Sequence, residues 1–264
     1  FRYGLSLRTL KFLLLRFAQS RSFRQIDGVI FLTQYAREAI LCVTGKLSAK
    51  TSIIPHGMNS RFNRAPKVQS AITEFSDEQP YLILYVSSID QYKHQWHVVE
   101  AVSSIRKLGL PIVLDLVGPA YPPSLKRLNK ITSKLDTDRT WVHYHGTIDF
   151  NAIHESYEQS DLAVFASSCE NMPNILLEAM AMGLPLACSN RGPMPEVLGN
   201  SGVYFNPEMP ESIAKALQKL IDSSKLRTEL SHASYERVQQ YSWERCADET
   251  FRFLVEVAQQ NKRC

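Results

Sequence analysis

Paired cysteines and long apolar runs are both missing from this sequence of 264 residues. It has five cysteines, and no two of them form a C-x-x-C pair. An odd number cannot make a closed set of disulfides, so we expect a reducing compartment. No apolar stretch approaches the roughly 20 residues that a membrane-spanning helix needs. The first 24 residues contain apolar clusters interrupted by arginines, and no small-residue cleavage site follows, so we expect no signal peptide.

Acidic residues are scarce in the first quarter of the chain. Residues 1–64 carry a net charge of +9, because eleven Lys or Arg face only two acidic residues, while the remaining 200 residues carry −5. A uniformly basic nucleic-acid-binding protein would not divide in this way, so no nucleic-acid partner is expected. The basic end instead suits contact with an anionic surface.

Residues 1–24 predict an amphipathic basic helix. Four apolar residues recur at helical spacing, and three basic residues lie largely elsewhere on the helical wheel: Leu7, Leu10, Leu14, Phe17, Arg8, Lys11 and Arg16. One interpretation is a helix that packs on a part of the protein outside this sequence. The other is a helix that lies on an anionic membrane surface.

Alternating strand and helix patterns organise the rest of the chain. Residues 28–55 read as one strand–helix–strand unit, and residues 57–80 lose periodicity. From Tyr81 onward, apolar strands alternate with helices, which predicts a doubly wound, Rossmann-like parallel sheet. We predict that residues 1–57 belong to an N-terminal domain of which much lies outside this sequence and that residues 58–79 form a linker. Residues 80–240 are predicted to form a ligand-binding domain, and residues 241–264 a final helix that packs back on the first domain.

Two carboxylates lie near the start of the predicted helix that follows the strand DLAVFAS. Glu170 lies just before this helix and Glu178 lies two turns into it. Pro173 suits the first turn, and the backbone N–H groups around Asn171 and Met172 favour an anion. Carboxylates repel phosphate but accept hydrogen bonds from sugar and ribose hydroxyls. A diphosphate that links two sugars satisfies both requirements.

The stretch ENMPNILLEAMAMGLPLACSNRGPMPEVLGNSGVYFNP closely resembles the Glu-x7-Glu region of family-4 retaining glycosyltransferases of the GT-B fold. The resemblance extends through IFLTQYAREAI, IIPHG, YVSSIDQYKHQWHVVEA, VGP and VHYHGTI, over about residues 25–222. It implies a GT-B-type fold with a nucleotide-sugar-binding C-terminal domain. It also implies that Glu170 binds donor-sugar hydroxyls and that Glu178 binds the ribose.

The resemblance implies further donor-site residues. Lys93 matches the family lysine that neutralises the donor pyrophosphate, and we place it just inside a helix, where a structural lysine would be electrostatically unfavourable. Ser88 stands where the family usually has an arginine that shares this work. Glu196 matches an acidic residue after a Gly-rich loop, although a solvated position on a short helix explains it equally well. The donor contacts taken from the matching segments also include Gly146, Asn171, Met172, Pro173 and Asn174.

A metal site is not expected from the sequence. His56, His143 and His145 are read as structural residues, because no pair combines the spacing and carboxylate support of a zinc site. Asp136-Thr137-Asp138 resembles the D-x-D motif of the other major glycosyltransferase fold, but it follows a helix and reads as a solvated turn. The family reaction needs no divalent metal, so no cofactor is expected.

The function that the resemblance implies is transfer of a sugar from a nucleotide-diphosphate donor to a glycan or lipid-linked acceptor, with retention of configuration. Glu170 and Lys93 are the candidate catalytic residues. The expected setting is bacterial surface-polysaccharide biosynthesis, including lipopolysaccharide, in the cytoplasm and peripherally on the inner face of the cytoplasmic membrane. Two alternatives stay open: a nucleotide-sugar epimerase of the same fold and a non-catalytic nucleotide-sugar-binding module.

Overall fold

A computed structural model describes residues 7–261 of the chain. Its backbone contacts divide the chain into two compact units. Among the described residues, unit 1 combines 7–57 with 241–261, and unit 2 spans Met58–Gln240. The second unit therefore contains every residue that the sequence analysis assigned to the donor site.

Ten α-helices and eight β-strands form within the described residues. The helices are α1 (Leu7–Gln25), α2 (Gln34–Thr44), α3 (Gln95–Arg106), α4 (Pro122–Leu135), α5 (Ile153–Gln159), α6 (Asn174–Ala181), α7 (Met194–Leu198), α8 (Pro210–Ile221), α9 (Ser224–Val238) and α10 (Trp243–Asn261). The strands are β1 (Gly28–Phe31), β2 (Lys50–Ile53), β3 (Tyr81–Val86), β4 (Ile112–Val117), β5 (Val142–Gly146), β6 (Leu162–Phe165), β7 (Leu186–Ser189) and β8 (Val203–Phe205). None of the described helices is long and apolar enough to cross a membrane.

Unit 1 is built on a parallel strand pair. β1 and β2 pair in register from Gly28 with Lys50 to Phe31 with Ile53, and α2 connects them, so the predicted strand–helix–strand unit is confirmed. Helix α10 packs on β1: a Cβ added at Gly28 would lie 2.7 Å from Val257 and 3.0 Å from Phe253. Glycine at position 28 is therefore what lets the last helix approach this strand.

The predicted helix near the N-terminus forms, but its predicted amphipathic character is wrong. Leu13, Leu14 and Leu15 are consecutive in α1 and all three are exposed. Because an α-helix turns about 100° per residue, three consecutive side chains spread over about 200° of its circumference. Exposed apolar and basic residues are therefore mixed around the helix instead of occupying separate faces.

Unit 2 contains a six-stranded parallel sheet in the order β5-β4-β3-β6-β7-β8. Its inner strands are buried at nearly every position, as expected for a sheet with helices on both faces. The chain adds strands in one direction from β3 to β5 and then in the other from β6 to β8. The connections therefore diverge between β3 and β6, where doubly wound sheets form a ligand crevice at the carboxyl ends of the strands.

Residues 58–79, predicted to be a linker, belong to unit 2 in the structure. Phe62 is only 1% exposed and packs edge-on against Tyr157, and Arg64 pairs with Glu158 at 2.9 Å. Buried Arg227 donates a hydrogen bond to the Ser70 carbonyl. The segment packs on the rest of unit 2 through these contacts, with two short 3₁₀ turns and no continuous helix or strand.

The D-x-D sequence is only partly the solvated turn that we predicted. Asp136 is 3% exposed, and its carboxylate accepts hydrogen bonds from the backbone N–H groups of Thr140, Trp141 and Val142 at 2.8–3.1 Å. Thr137 and Asp138 are exposed. Asp136 therefore stabilises the connection into β5, a role that its position after a helix did not reveal.

Candidate functional site

Two loops meet at the point where the strand connections diverge. One follows β3 and the other follows β6, and backbone contacts join them: the Ser168 N–H and the Ser168 hydroxyl both donate to the Tyr92 carbonyl, at 2.8 and 3.1 Å. His94 Nε2 lies 2.7 Å from Ser168 Oγ. His94 adopts a left-handed backbone conformation with φ of 53°, which is costly for a residue with a side chain. These bonds hold the two loops together although more than 70 residues separate them in sequence.

Lys93 and Glu170 form an ion pair across this junction. Lys93 Nζ donates to Glu170 Oε1, and the two side chains are 8% and 16% exposed. The Lys93 backbone is held in turn, because the buried Tyr85 hydroxyl donates to its carbonyl at 2.7 Å. The structure thus brings together the two residues that the sequence analysis nominated as catalytic.

The prediction that Lys93 lies just inside a helix is wrong. Helix α3 begins at Gln95, with His94 at its N-cap, and Lys93 ends the turn before it. Because Lys93 precedes the helix, it does not occupy the first helical turn, where a structural lysine would be unfavourable. What marks Lys93 as unusual is its burial, since a buried lysine needs a partner for its charge.

Glu178 lies in a different environment, in the middle of α6. Tyr157 donates a hydrogen bond to Glu178 Oε2 at 3.0 Å. Burial raises the pKa of Glu178 to about 7, and the Tyr157 hydrogen bond and the nearby Arg61 charge only partly oppose it. Burial also raises the pKa of Tyr157 well above its ordinary value, so this hydroxyl keeps its proton and donates. Glu178 can therefore change its ionisation near neutral pH.

A cavity of about 290 Å³ opens beside Glu178, at the carboxyl ends of β3, β4 and β5. Its walls are mostly apolar, with Ser88 and Glu178 among the polar residues. Gly118 has φ of 138°, and a Cβ there would overlap the Ser87 carbonyl oxygen, so only glycine fits. The lining residues are Val86, Ser87, Ser88, Val117, Gly118, Pro119, Thr147, Ile148, Phe150, Ile153, Ile175 and Glu178.

The remaining predicted site residues lie on the loops around these groups. Asn171 and Asn174 are exposed at the start of α6, whereas Met172 and Pro173 are buried. Gly146 ends β5, directly before the cavity residues Thr147 and Ile148, with φ of 69°.

The loop before α7 carries the last predicted acidic residue. A Cβ added at Gly192, whose φ is 60°, would lie 3.8 Å from the Glu170 nitrogen, so this loop passes beside Glu170. Glu196 is exposed on α7, and its backbone carbonyl accepts a hydrogen bond from Arg237 at 2.9 Å.

Sequence reasoning missed several residues that shape the site. Tyr157 is the partner of Glu178, and Tyr85 and Ser168 hold the Lys93 turn in place. The apolar wall residues Phe150 and Ile175 were missed as well. Tyr157 sits in a seven-residue helix whose pattern gave no sign of a buried polar role. Gly118, which lines the cavity, had a sequence signal, because it lies in the segment VGP that carries part of the family resemblance.

Two of the three histidines that we read as structural share a carboxylate neighbour. The prediction that no histidine pair has carboxylate support is therefore wrong. Asp115 Oδ1 lies 3.2 Å from His143 Nδ1 and 3.0 Å from His145 Nε2. The third, His56, belongs to unit 1 and stacks on Trp243 with ring centroids 5.5 Å apart.

A family model described as "Glycosyl transferases group 1" matches residues 70–237. Among curated proteins, O-antigen chain mannosyltransferase B of Escherichia coli is 27% identical over 226 residues, covering 84% of this chain and 56% of that protein. The sulfoquinovosyl transferase SQD2 of Arabidopsis thaliana is 28% identical over 190 residues, covering 70% of this chain and 35% of that protein. This chain thus spans about a third to just over half the length of these relatives.

Solved structures show the same fold. A sucrose-phosphate synthase from Thermosynechococcus elongatus superimposes with a TM-score of 0.81 at 22% identity, covering 98% of this chain and 65% of that one. HepE from Anabaena, solved with UDP and glucose, superimposes with a TM-score of 0.79 at 18% identity, covering 92% of this chain and 66% of that one. The prediction of a GT-B-type α/β fold with a Rossmann-like parallel sheet is confirmed.

Proposed function

We propose, since this chain belongs to the glycosyl transferases group 1 family, that its unit 2 binds a nucleoside-diphosphate sugar as the donor of a glycosyl transfer. The observation that carries the proposal is the Lys93–Glu170 ion pair at the divergence of the strand connections. Doubly wound sheets bind ligands at this position. A buried cation and a carboxylate side by side suit a ligand that presents a diphosphate next to sugar hydroxyls.

Lys93 is proposed to balance the charge of the diphosphate. Charge on this leaving group grows as the glycosidic bond breaks, and a fixed ammonium in a water-poor crevice stabilises that charge without reorganising. The diphosphate would compete with Glu170 for Lys93, which would release the Glu170 carboxylate to accept a hydrogen bond from a sugar hydroxyl. Ser88, on the same loop, cannot supply the second charge that an arginine would.

The nucleoside is proposed to occupy the cavity beside Glu178. Its apolar walls suit a base, and a carboxylate at its margin is an acceptor for ribose hydroxyls. HepE was solved with UDP, which supports a nucleoside diphosphate as the ligand class. The remaining nominated contacts, Gly146, Asn171, Met172, Pro173, Asn174 and Glu196, are retained as proposals.

The reaction is proposed to retain anomeric configuration and to need no metal for transfer. The acceptor is proposed to be a glycan or a lipid-linked glycan in bacterial surface-polysaccharide assembly, in the cytoplasm. The support is the similarity to O-antigen chain mannosyltransferase B and to the serotype-specific mannosyltransferase WbdA of Escherichia coli. This chain spans 56% and 30% of the lengths of these two relatives, so its acceptor and its turnover stand as proposals.

Peripheral attachment to an anionic membrane surface is proposed through α1, whose exposed residues include Lys11, Arg16 and Phe17. Anionic headgroups attract such a segment with about 1 kcal/mol for each basic residue near the surface. We expect salt-sensitive co-sedimentation with vesicles that contain phosphatidylglycerol and weaker co-sedimentation with phosphatidylcholine vesicles. Equal binding to both vesicle types would show that charge does not attach the protein.

Donor binding is tested by calorimetric titration of the chain with UDP, GDP and ADP. Each nucleoside diphosphate that binds is followed by its glucose and mannose nucleotide sugars. We expect one base to bind with 1:1 stoichiometry and the sugar conjugate to bind with Glu170-dependent affinity. Failure of all three nucleoside diphosphates to bind would overturn the proposal. The exposed variant Glu155→Gln is the matched control for loss of an acidic residue.

The two alternatives differ in what happens to the donor. Chromatography of the nucleotide sugar incubated with full-length protein and no acceptor would reveal an epimer if the protein were an epimerase. Donor binding without turnover, in the presence of membrane-derived lipid-linked acceptors, would instead indicate a binding module.

A further inference from the structure

Asp115, His143 and His145 form a cluster on unit 2 that donor binding does not use. Asp115 and His143 are paired positions on the adjacent strands β4 and β5, and His145 is the extra residue of β5 where the register shifts between Leu116 and Val117. The side chains are 22%, 43% and 44% exposed. One ligand atom from each lies within 4.8 Å of the other two.

We propose that these three residues bind a divalent transition metal ion of the zinc class, with water completing its coordination. Two imidazoles and one carboxylate suit zinc, nickel, cobalt or copper, whereas calcium and magnesium prefer oxygen ligands alone. The site is open to solvent, so it has an entry path and room for water. It is independent of the proposed sugar transfer, which uses Lys93, Glu170 and Glu178.

Two of the three separations between ligand atoms already suit a metal ion. Ligands around a tetrahedral zinc ion, at bond lengths of about 2.0–2.1 Å, stand about 3.3 Å from one another. The Asp115 Oδ1 atom lies 3.2 Å from His143 Nδ1 and 3.0 Å from His145 Nε2, already close to that separation. The two imidazole rings are inclined at 76°, with centroids 6.2 Å apart. They converge on the carboxylate from different directions, so a metal ion can replace the two shared hydrogen bonds.

The backbone that carries the ligands is held by the sheet. β4 is an inner strand, and its pairing with β5 fixes the separation of Asp115 and His143. β5 is the edge strand, with neighbours on one side only. A metal ion bound to both strands would fasten this edge. Gly146 follows His145 directly and leads to the cavity residues Thr147 and Ile148, so the metal site would stabilise the strand from which one cavity wall begins.

Metal binding is tested by titrating tag-free, EDTA-treated protein with Zn²⁺ alone, by calorimetry, with Mg²⁺ as the second titrant. The variants are Asp115→Asn and the double variant His143→Ala/His145→Ala. His232→Ala removes an exposed histidine from α9 in the same unit and is the matched control. Melting temperatures with Zn²⁺ and with EDTA provide a second readout, because a ligand that binds only the folded state raises the melting temperature.

We expect wild type and His232→Ala to bind one Zn²⁺ with equal affinity and to melt at a higher temperature with Zn²⁺ than with EDTA. Both cluster variants should bind at least ~10-fold more weakly and lose the zinc-dependent part of the melting shift. Mg²⁺ should produce neither effect. Equal zinc affinity in wild type and in the double variant would overturn the proposal and would leave Asp115 as a plain hydrogen-bond acceptor for the two histidines.

Discussion

Glu170 and Glu178 are the same residue type, eight positions apart, yet unit 2 places them in opposite electrostatic situations. Glu170 stands on a loop and is neutralised by an ion pair with buried Lys93. Glu178 stands within a helix, and its partner is the neutral hydroxyl of Tyr157. Burial without a full opposing charge raises the pKa of Glu178 to about 7. The comparison teaches that the fold, and not the residue type, decides which partner each carboxylate meets.

The largest expected effect comes from removing the partner of Glu170. Lys93→Met should lower the free energy of unfolding by about 3–5 kcal/mol, because it leaves a largely buried carboxylate without its cation. The double variant Lys93→Met/Glu170→Gln should recover more than half of this loss. Urea unfolding of the two single variants, the double variant and wild type measures the coupling.

The control for that cycle is Lys126→Met, which removes an exposed lysine from α4. It should change stability by less than about 0.5 kcal/mol. If the two single variants and the double variant lose stability additively, the Lys93–Glu170 pair contributes no coupling and the contrast with Glu178 fails.

Glu178 should make stability depend on pH. Below pH 4.5 the carboxyl is protonated in both states, and as pH rises toward 7 the unfolded state releases its proton first. The native state is therefore destabilised progressively between about pH 4.5 and 7, by about 3 kcal/mol in total. Glu178→Gln should be more stable than wild type at pH 8 and equal to it at pH 4.5.

Urea unfolding midpoints measured across pH 4.5–8 check this expectation. Glutamine keeps an acceptor for Tyr157, so packing changes little. Glu155→Gln, which removes an exposed carboxylate from α5, should leave the pH profile of wild type unchanged. A parallel profile in Glu178→Gln and wild type would mean that Glu178 titrates near its ordinary pKa.

The two carboxylates should also separate in ligand binding. At pH 8, above its pKa of about 7, Glu178 is ionised, and Glu178→Ala should weaken binding of the free nucleoside diphosphate by about 1.5–3 kcal/mol, the typical value of a hydrogen bond to a charged group. Glu170→Ala should leave that binding intact and weaken only the additional affinity that the sugar confers. Calorimetry with UDP or GDP and the matching nucleotide sugar distinguishes the roles. Equal losses for the free nucleotide in both variants would contradict them.

The smallest effect is expected at Ser88, where a second positive charge can be added on the loop that carries Lys93. Ser88→Arg should tighten nucleoside-diphosphate binding by about 1–3 kcal/mol, because a guanidinium can form charge-assisted bonds with phosphate. Ser88→Met adds bulk without charge and should give no such gain. The gain from arginine should shrink at high salt. Unchanged affinity would place the diphosphate away from this loop.

Sequence patterns were sufficient for the strand–helix alternation because apolar runs such as Tyr81–Val86 read directly as buried strands. They were less informative for α1, whose heptad-like leucines suggested one apolar face although Leu13 and Leu15 are exposed as well. Periodicity describes spacing along one helix and contains no information on what the helix packs against. The Tyr157 contact to Glu178 was unpredictable for the same reason, since 21 residues separate them.

The amino-acid sequence by itself determined which chemical groups are available and where each lies along its element. Glu170 falls on the loop after β6 and Glu178 falls within the helix that follows, because local periodicity places the strand and the helix on either side of that loop. Only the tertiary structure decided their partners. Lys93 reaches Glu170 across 77 residues of chain, and Asp115 meets His143 across 28, because parallel strand order brings distant loops and strand positions together. Burial, charge pairing and pKa depend on those neighbours, and local sequence does not specify them.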